Sequence, residues 1–253
     1  MNVNWTPLRT EFAQWRAEGL TLPFWWRDDD AIEATDALSH LTELAEDSGV
    51  PVHLAIIPRD ATNGLVAKVG QTRMLIPVVH GWAHVNHAPV DQKKAEFGAT
   101  RTRDDVVAEL SKGKARLQDM FGARLAPMFV PPWNRIDPAI MPVLADLGYD
   151  AVSTFLARKQ SEAAPGLARI NTHLDPIFWR GTRGLVDPEV LVENMVAMLR
   201  DRRTGKTDIA EPFGYLTHHL VHDDDIWAFS KQFLNEMCEG PIALYRHDEK
   251  EQT

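Results

Sequence analysis

Leu22-Pro23-Phe24-Trp25-Trp26-Arg27-Asp28-Asp29-Asp30 runs from an apolar, aromatic stretch straight into three carboxylates. The apolar part, residues 22–26, reads as a buried strand, because bulky aromatic side chains suit a pleated surface. A helical pattern begins directly after the acids. Leu38, Leu41, Leu44 and Ala45 recur at helical spacing within residues 32–47, Thr35 or Asp36 offers a cap, and Gly49 stops the run. Strand, polar turn and helix make one βα unit.

The same unit repeats along the chain. Strand-like runs follow at residues 52–57, 74–79, 127–130, 151–155, 169–174 and 213–220. Helical candidates lie between them at residues 65–69, 104–121, 138–147 and 188–199, and a last one spans 223–237. Seven strands alternating with helices imply right-handed crossovers and a parallel sheet. Polar residues recur at the C-terminal ends of strands one, three, four, six and seven. A closed β/α barrel builds its chemistry at that end. An open doubly wound sheet would put a ligand at one switch point, and no glycine-rich phosphate loop follows the first strand. The expectation is an α/β chain forming a distorted, TIM-like (β/α)7 barrel, one domain over residues 1–253 with its core at about 20–235.

Composition narrows the function classes. The chain has 253 residues, 44% hydrophobic and 25% charged, which is ordinary for a globular protein with a sizeable core. Net charge is -9 and no Lys/Arg cluster stands out, which argues against nucleic acid and against anionic membrane surfaces as partners. Cys238 is the single cysteine, so neither an intrachain disulfide nor a thiolate metal site can form. The start, MNVNWTPLRTEFAQW, lacks the basic-then-apolar order of a secretory signal, and no apolar run approaches a membrane span. A cytoplasmic protein is expected. Its oligomeric state is not legible.

Four segments carry chemistry, each closing an apolar run: the Asp28-Asp29-Asp30 triplet, His80-Gly81-Trp82-Ala83-His84, Val130-Pro131-Pro132-Trp133-Asn134 and Leu216-Thr217-His218-His219. Two imidazoles and a carboxylate hold a divalent ion with one position open, and further carboxylates and histidines move protons. Each segment also has a plain structural reading. Acids favour helix starts, paired histidines bond loops, and Pro-Pro-Trp makes a rigid turn. His87 reads as a residue that supports the ligands from behind or is simply exposed. Asp175 and Trp179, near the end of strand six, would pass as a loop acid and a packing ring without the other motifs. His218 and His219 are adjacent on a strand, so only one can face the barrel.

Taken together and in this order, the segments resemble the polysaccharide deacetylase family, also called carbohydrate esterase family four. Its homology domain is shared by chitin, chitooligosaccharide and peptidoglycan deacetylases. The family motif Thr-Phe-Asp-Asp-Gly is similar to Trp26-Arg27-Asp28-Asp29-Asp30, and that register implies Asp28 as base and Asp29 as metal ligand, with Thr35 starting the next helix. A shift by one residue would make Asp29 the base and Asp30 the ligand. His-Ser/Thr-x-x-His resembles His80 to His84 without the hydroxyl residue. Arg-Pro-Pro-Tyr/Trp-Gly resembles Val130 to Asn134 without the arginine that pairs with the base. The fourth motif, Asp beside Trp, is loosely matched by Asp175 and Trp179, and Leu-x-His by Leu216-Thr217-His218.

The resemblance implies a metal-dependent hydrolase of amide bonds that deacetylates an N-acetylated sugar or a related small amide. Asp29, His80 and His84 would hold one divalent ion, with zinc first and cobalt, nickel or manganese as substitutes. Asp28 would act as base and His218, oriented by Asp175, as acid. Trp133, Pro132 and Trp179 would line the substrate. Arg27 or Arg135 would replace the arginine missing at Val130 and reach Asp28. Two rivals stay open: an impaired barrel that binds carbohydrate without turnover, and an amidase acting on a cytoplasmic metabolite.

Overall fold

The computed structural model describes residues 1–248. Strand β1 (Leu22–Ala31) pairs in parallel with β2 (Val52–Ile56) on one side and β8 (Phe213–Thr217) on the other. From β2 the sheet continues in parallel through β3 (Leu75–His80), β4 (Met128–Val130) and β5 (Ala151–Val152) to β7 (Leu167–Arg169). The short β6 (Glu162–Ala164) forms an antiparallel hairpin with β7 at the outer edge.

The chain beyond β7 completes the barrel. Thr172 bridges to Phe155, and two residues later Leu174 bridges to Tyr215 on β8. Backbone bonds from His173 to Gly214 (2.7 Å) and from Leu216 to Leu174 (2.8 Å) join these edges. The seven staves expected from the sequence are therefore present in the expected order. Stave six is a short ladder followed by isolated bridges rather than a continuous strand.

Helices cover the outside: α1 (Thr6–Ala17), α2 (Asp36–Ser48), α3 (Asn63–Gly70), α4 (Arg103–Phe121), α5 (Met141–Asp146), α6 (Pro188–Arg203) and α7 (Asp224–Cys238). Their starts follow local chemistry. Side chains of Thr35, Thr62, Thr102, Asp187 and Asp223 accept the first free backbone N–H groups, each such cap being worth about 1 kcal/mol. Gly49 ends α2 in the left-handed region at φ +70°. Among the described residues no helix is long and apolar enough to cross a membrane.

Strand parity sorts the core into two shells. Phe24, Trp26, Leu54, Ile56, Phe129, Phe213 and Tyr215 point outward to the helices. Trp25, Ala55, Ile76, Val78, Met128, Val130 and Ala151 fill the barrel interior. On β1 the odd residues thus face inward and the even ones outward, which decides the fate of the acids. Three elements were not anticipated: α1, β6 and β9 (Ile242–Leu244), which pairs in parallel with the start of β1.

Candidate active site

Strand β1 continues five residues past the predicted end and carries its acids into the sheet. Arg27 and Asp29 share the inward face with Trp25. Arg27 is fully buried, and its guanidinium spans both carboxylate oxygens of Asp29, Nε–Oδ1 at 2.8 Å and Nη2–Oδ2 at 2.9 Å. It also donates to Ser153 Oγ (2.7 Å) and Asn134 Oδ1 (2.7 Å). An arginine that hydrogen-bonds Asp29, Ser153 and Asn134 and pairs with Asp29 through Nε holds the carboxylate in one orientation.

The expected partnership was Arg27 or Arg135 with Asp28. Instead Arg135 donates to the Lys94 carbonyl, and Asp28 lies behind the strand. Asp28 is completely buried, and its oxygens accept from Thr217 Oγ1 (2.6 Å), His219 N (3.0 Å) and His219 Nδ1 (2.5 Å). Burial by itself would raise its pKa, but the His219 ring, the Thr217 hydroxyl and His222 outweigh burial and hold Asp28 below the usual carboxylate range. The outward parity of Asp28 thus places it behind the sheet, away from the barrel mouth.

At Asp30 the pairing of β1 with β2 slips between Asp28 and Ala31, and the backbone turns left-handed at φ 75°. This bulge lets a second consecutive acid face the mouth. Asp30 Oδ1 lies 3.0 Å from His80 Nε2 and 3.3 Å from His84 Nε2. Donor atoms of these three residues all fall within 4.8 Å of one another, and among the described residues no other group of His, Cys, Asp and Glu does so. Asp29, the third ligand expected, turns to Arg27.

His80 ends β3, and its Nδ1–H donates to the Val130 carbonyl at 3.0 Å, leaving Nε2 toward Asp30. That bond fixes the ring the way metal-ligating histidines are commonly fixed. Burial would lower the His80 pKa, but the Asp29 and Asp30 carboxylates outweigh it and the net shift is upward. Burial likewise works to raise Asp30, yet His80, His218 and His84 hold it far below the ordinary range. His84 is pushed down by burial and by the neighbouring His80 charge. His80 Nε2 and Asp30 Oδ1 face each other at 3.0 Å, with His84 Nε2 3.3 Å from the same oxygen. The donor set of two imidazoles and one carboxylate fits a divalent ion.

Glu96 supports this loop and was not legible in the sequence. It is fully buried, and it accepts from Trp82 N (3.2 Å) and Ala83 N (2.7 Å). Gly81 makes the approach possible. At φ +61° a Cβ would collide with the Glu96 carboxylate and lie 2.6 Å from Pro132 Cγ. The Glu96 carboxylate thus binds the loop in which the family motif has a hydroxyl residue. His87 is exposed and stands apart from the cluster.

After β4, Pro131 and Pro132 are both trans and buried. Pro132 packs under Gly81, so it belongs to the scaffold rather than to an open substrate wall. Trp133 and Asn134 adopt positive φ, 56° and 57°. That turn lays the Trp133 ring 4.3 Å from His84 and aims Asn134 at Arg27. Across the mouth, His218 faces inward and His219 does not. His218 Nε2 is 3.9 Å from Asp29 Oδ2, and its ring meets Trp179 edge-on at 4.7 Å. Asp175 was expected to bond His218. Its oxygens are taken by Ile177 N (2.9 Å) and Trp179 Nε1 (2.8 Å), and His218 Nδ1 is buried without a partner. Burial raises the Asp175 pKa, while the nearby His218 charge opposes that rise.

The fold has counterparts among solved structures. A family 4 carbohydrate esterase from Streptomyces lividans, in complex with acetate, superposes with a TM-score of 0.57 over 89% of this chain and 92% of that one, at 11% identity. The fold is that of the family 4 carbohydrate esterases. A family 4 esterase from Streptococcus mutans gives a TM-score of 0.57 over 97% of this chain and 92% of its own, at 12% identity. An acetyl xylan esterase of family 4 from Clostridium thermocellum, in complex with a cobalt ion, gives 0.50 over 88% and 86%, at 10% identity. The sequence itself matches no family model and no curated protein. The family 4 fold thus persists here at identities where sequence comparison no longer connects the chains.

Proposed function

We propose that this chain is a metal-dependent hydrolase of non-peptide amide bonds that removes the acetyl group from an N-acetylated sugar or a related small amide. One observation carries the reading. Asp30, His80 and His84 converge beside a carboxylate, Asp29, that Arg27 grips with both arms, and His218 stands 3.9 Å across from it. An ion, a base and an acid have to meet at one carbonyl for this chemistry.

Asp30, His80 and His84 would hold the ion, zinc by preference with cobalt, nickel or manganese as substitutes. Bound there, a divalent ion supplies Lewis acidity toward a carbonyl oxygen and toward water. Asp29, oriented by Arg27, takes the proton of the attacking water. The backbone N–H of Trp133 would serve as donor to the developing oxyanion. His218 gives its proton to the departing nitrogen, with Asp175 as a nearby negative charge. Trp133 and Trp179 flank the site as aromatic surfaces on which a pyranose ring can stack.

The reading of an impaired carbohydrate-binding barrel rested on the arginine missing at Val130. Arg27 supplies a guanidinium to the base from a different strand position, which weakens that rival. The test is metal content together with turnover. Protein reconstituted with zinc or cobalt is assayed on N-acetylglucosamine oligomers, on small acetamides and on 4-nitrophenyl acetate. Acetate release that depends on the metal supports the proposal. A metal-loaded protein that releases none from any of these substrates rejects it.

A further inference from the structure

We propose that Asp28, the acid turned away from the mouth, is a positioning residue that sets the direction of His218. The inference rests on the function proposed above, in which His218 protonates the leaving nitrogen. Strand β8 ends at Thr217, and residues 219–221 form a tight 3-10 turn. His218 sits between them at φ -143° and ψ 83°, in neither conformation. Its Nδ1 is buried without a hydrogen bond. The ring therefore has no bond of its own at that atom to fix its angle, unlike His80, and its direction follows from the backbone and from the Trp179 edge.

Asp28 holds that backbone on both sides. One oxygen accepts from the Thr217 hydroxyl before His218 and from the His219 amide after it. The other accepts from the His219 ring. Trp26 Nε1 donates to Thr217 Oγ1 at 2.8 Å, so the hydroxyl is aimed at Asp28 and cannot swing away. A carboxylate with three donors in a dry setting is a stiff joint, since each charged bond is short and strong there. Strand parity explains how it works. The pairing of β1 with β8 ends with Asp28 opposite Thr217, so inward-facing Asp29 and His218 each follow directly after that last pair. A clamp on the outer face thus sets the spacing of base and acid on the inner face.

The experiment separates positioning from bulk stability by leaving group. An acetamide needs its nitrogen protonated as it departs. The 4-nitrophenolate of an aryl acetate leaves without a proton. Asp28→Asn keeps the shape but weakens the grip, and Thr217→Val removes one arm, providing a second variant should the first fold poorly. Both are loaded with zinc and assayed on an N-acetylglucosamine oligomer and on 4-nitrophenyl acetate. The expected result is a fall of about tenfold or more in the ratio of amide to ester turnover, the scale set by losing alignment of a general acid. An unchanged ratio overturns the proposal. A crystal structure of each variant gives a readout independent of turnover, and so keeps this inference distinct from the function proposed above. A displaced or disordered His218 ring supports the clamp, whereas a His218 ring in its present place 3.9 Å from Asp29 overturns it even if the wild type hydrolyses neither substrate.

Discussion

Replacing Arg27 with Met should separate stability from metal binding. Arg27 and Asp29 have side-chain exposures of 0% and 4%, so the substitution leaves a carboxylate in a dry interior without its counter-ion. Breaking a buried pair from one side costs about 3–5 kcal/mol. Ser153 and Asn134 also lose a charged donor, each worth about 1 kcal/mol. A loss of about 5–7 kcal/mol, at about 2–4 °C per kcal/mol for a chain of this size, lowers the melting temperature by about 10–28 °C. The assay is thermal unfolding of metal-free protein in chelator, so that bound ion does not mask the loss. Asp30, His80 and His84 are untouched, and zinc should still bind at one equivalent, while turnover falls by about 10² or more because the base has lost its orientation. Arg27→Met combined with Asp29→Asn should recover much of the lost stability, since a neutral amide needs no counter-ion. A single variant melting within about 2 °C of wild type would refute the reasoning, as would a double variant no more stable than the single one.

Glu96→Leu removes the acceptor for two loop amides and should weaken zinc binding by about 10–100-fold in a chelator competition, because it is the support of the ligands that is lost. Gly81→Ala should do the same, since the new methyl displaces the Glu96 carboxylate; unchanged zinc affinity in both would free the loop from Glu96. Metal affinity should be weaker at pH 6 than at pH 8 by calorimetry, because neighbouring carboxylates raise the His80 pKa and a proton then competes for Nε2. Buried His53 and His222 are pushed down to about 3 and about 4, chiefly by burial. The unfolded chain therefore takes up their protons first. Stability is full above about pH 6.5 and declines as pH falls toward those values, so urea midpoints should drop over that window and drop less in His53→Gln.

The barrel was legible because seven apolar runs each stop at a polar turn, and every expected helix between them is present. The helix α1 escaped notice although Leu8, Phe12 and Trp15 lie on one face and are buried. Its apolar residues are too sparse for the run to stand out. Strand β9 is three residues long and half exposed, which leaves no alternation to read. Within the site, the His80–His84 pair and the Pro-Pro-Trp133 turn stood out from spacing and strand ends, whereas His218 over His219 and the Asp175–Trp179 pair were singled out only by the resemblance to the family's motifs. The register of the Asp triplet was not legible. Phe24, Trp25 and Trp26 are all buried, because β1 is covered on both faces, so hydrophobicity carries no parity along it. The bulge that brings Asp30 beside Asp29 has no signature in the residues themselves. Glu96 reaches the loop across a separation of 13 or 14 residues through irregular chain, where no periodicity applies.

The central claim is that Asp30, not Asp29, completes the metal site. Metal stoichiometry after dialysis tests it most directly, measured side by side on Asp30→Ala and Asp29→Asn proteins loaded with zinc. The account predicts that Asp30→Ala loses its zinc, whereas Asp29→Asn keeps one equivalent and loses turnover. Zinc retained by Asp30→Ala and lost from Asp29→Asn would contradict it and return the ligand to the position before the bulge.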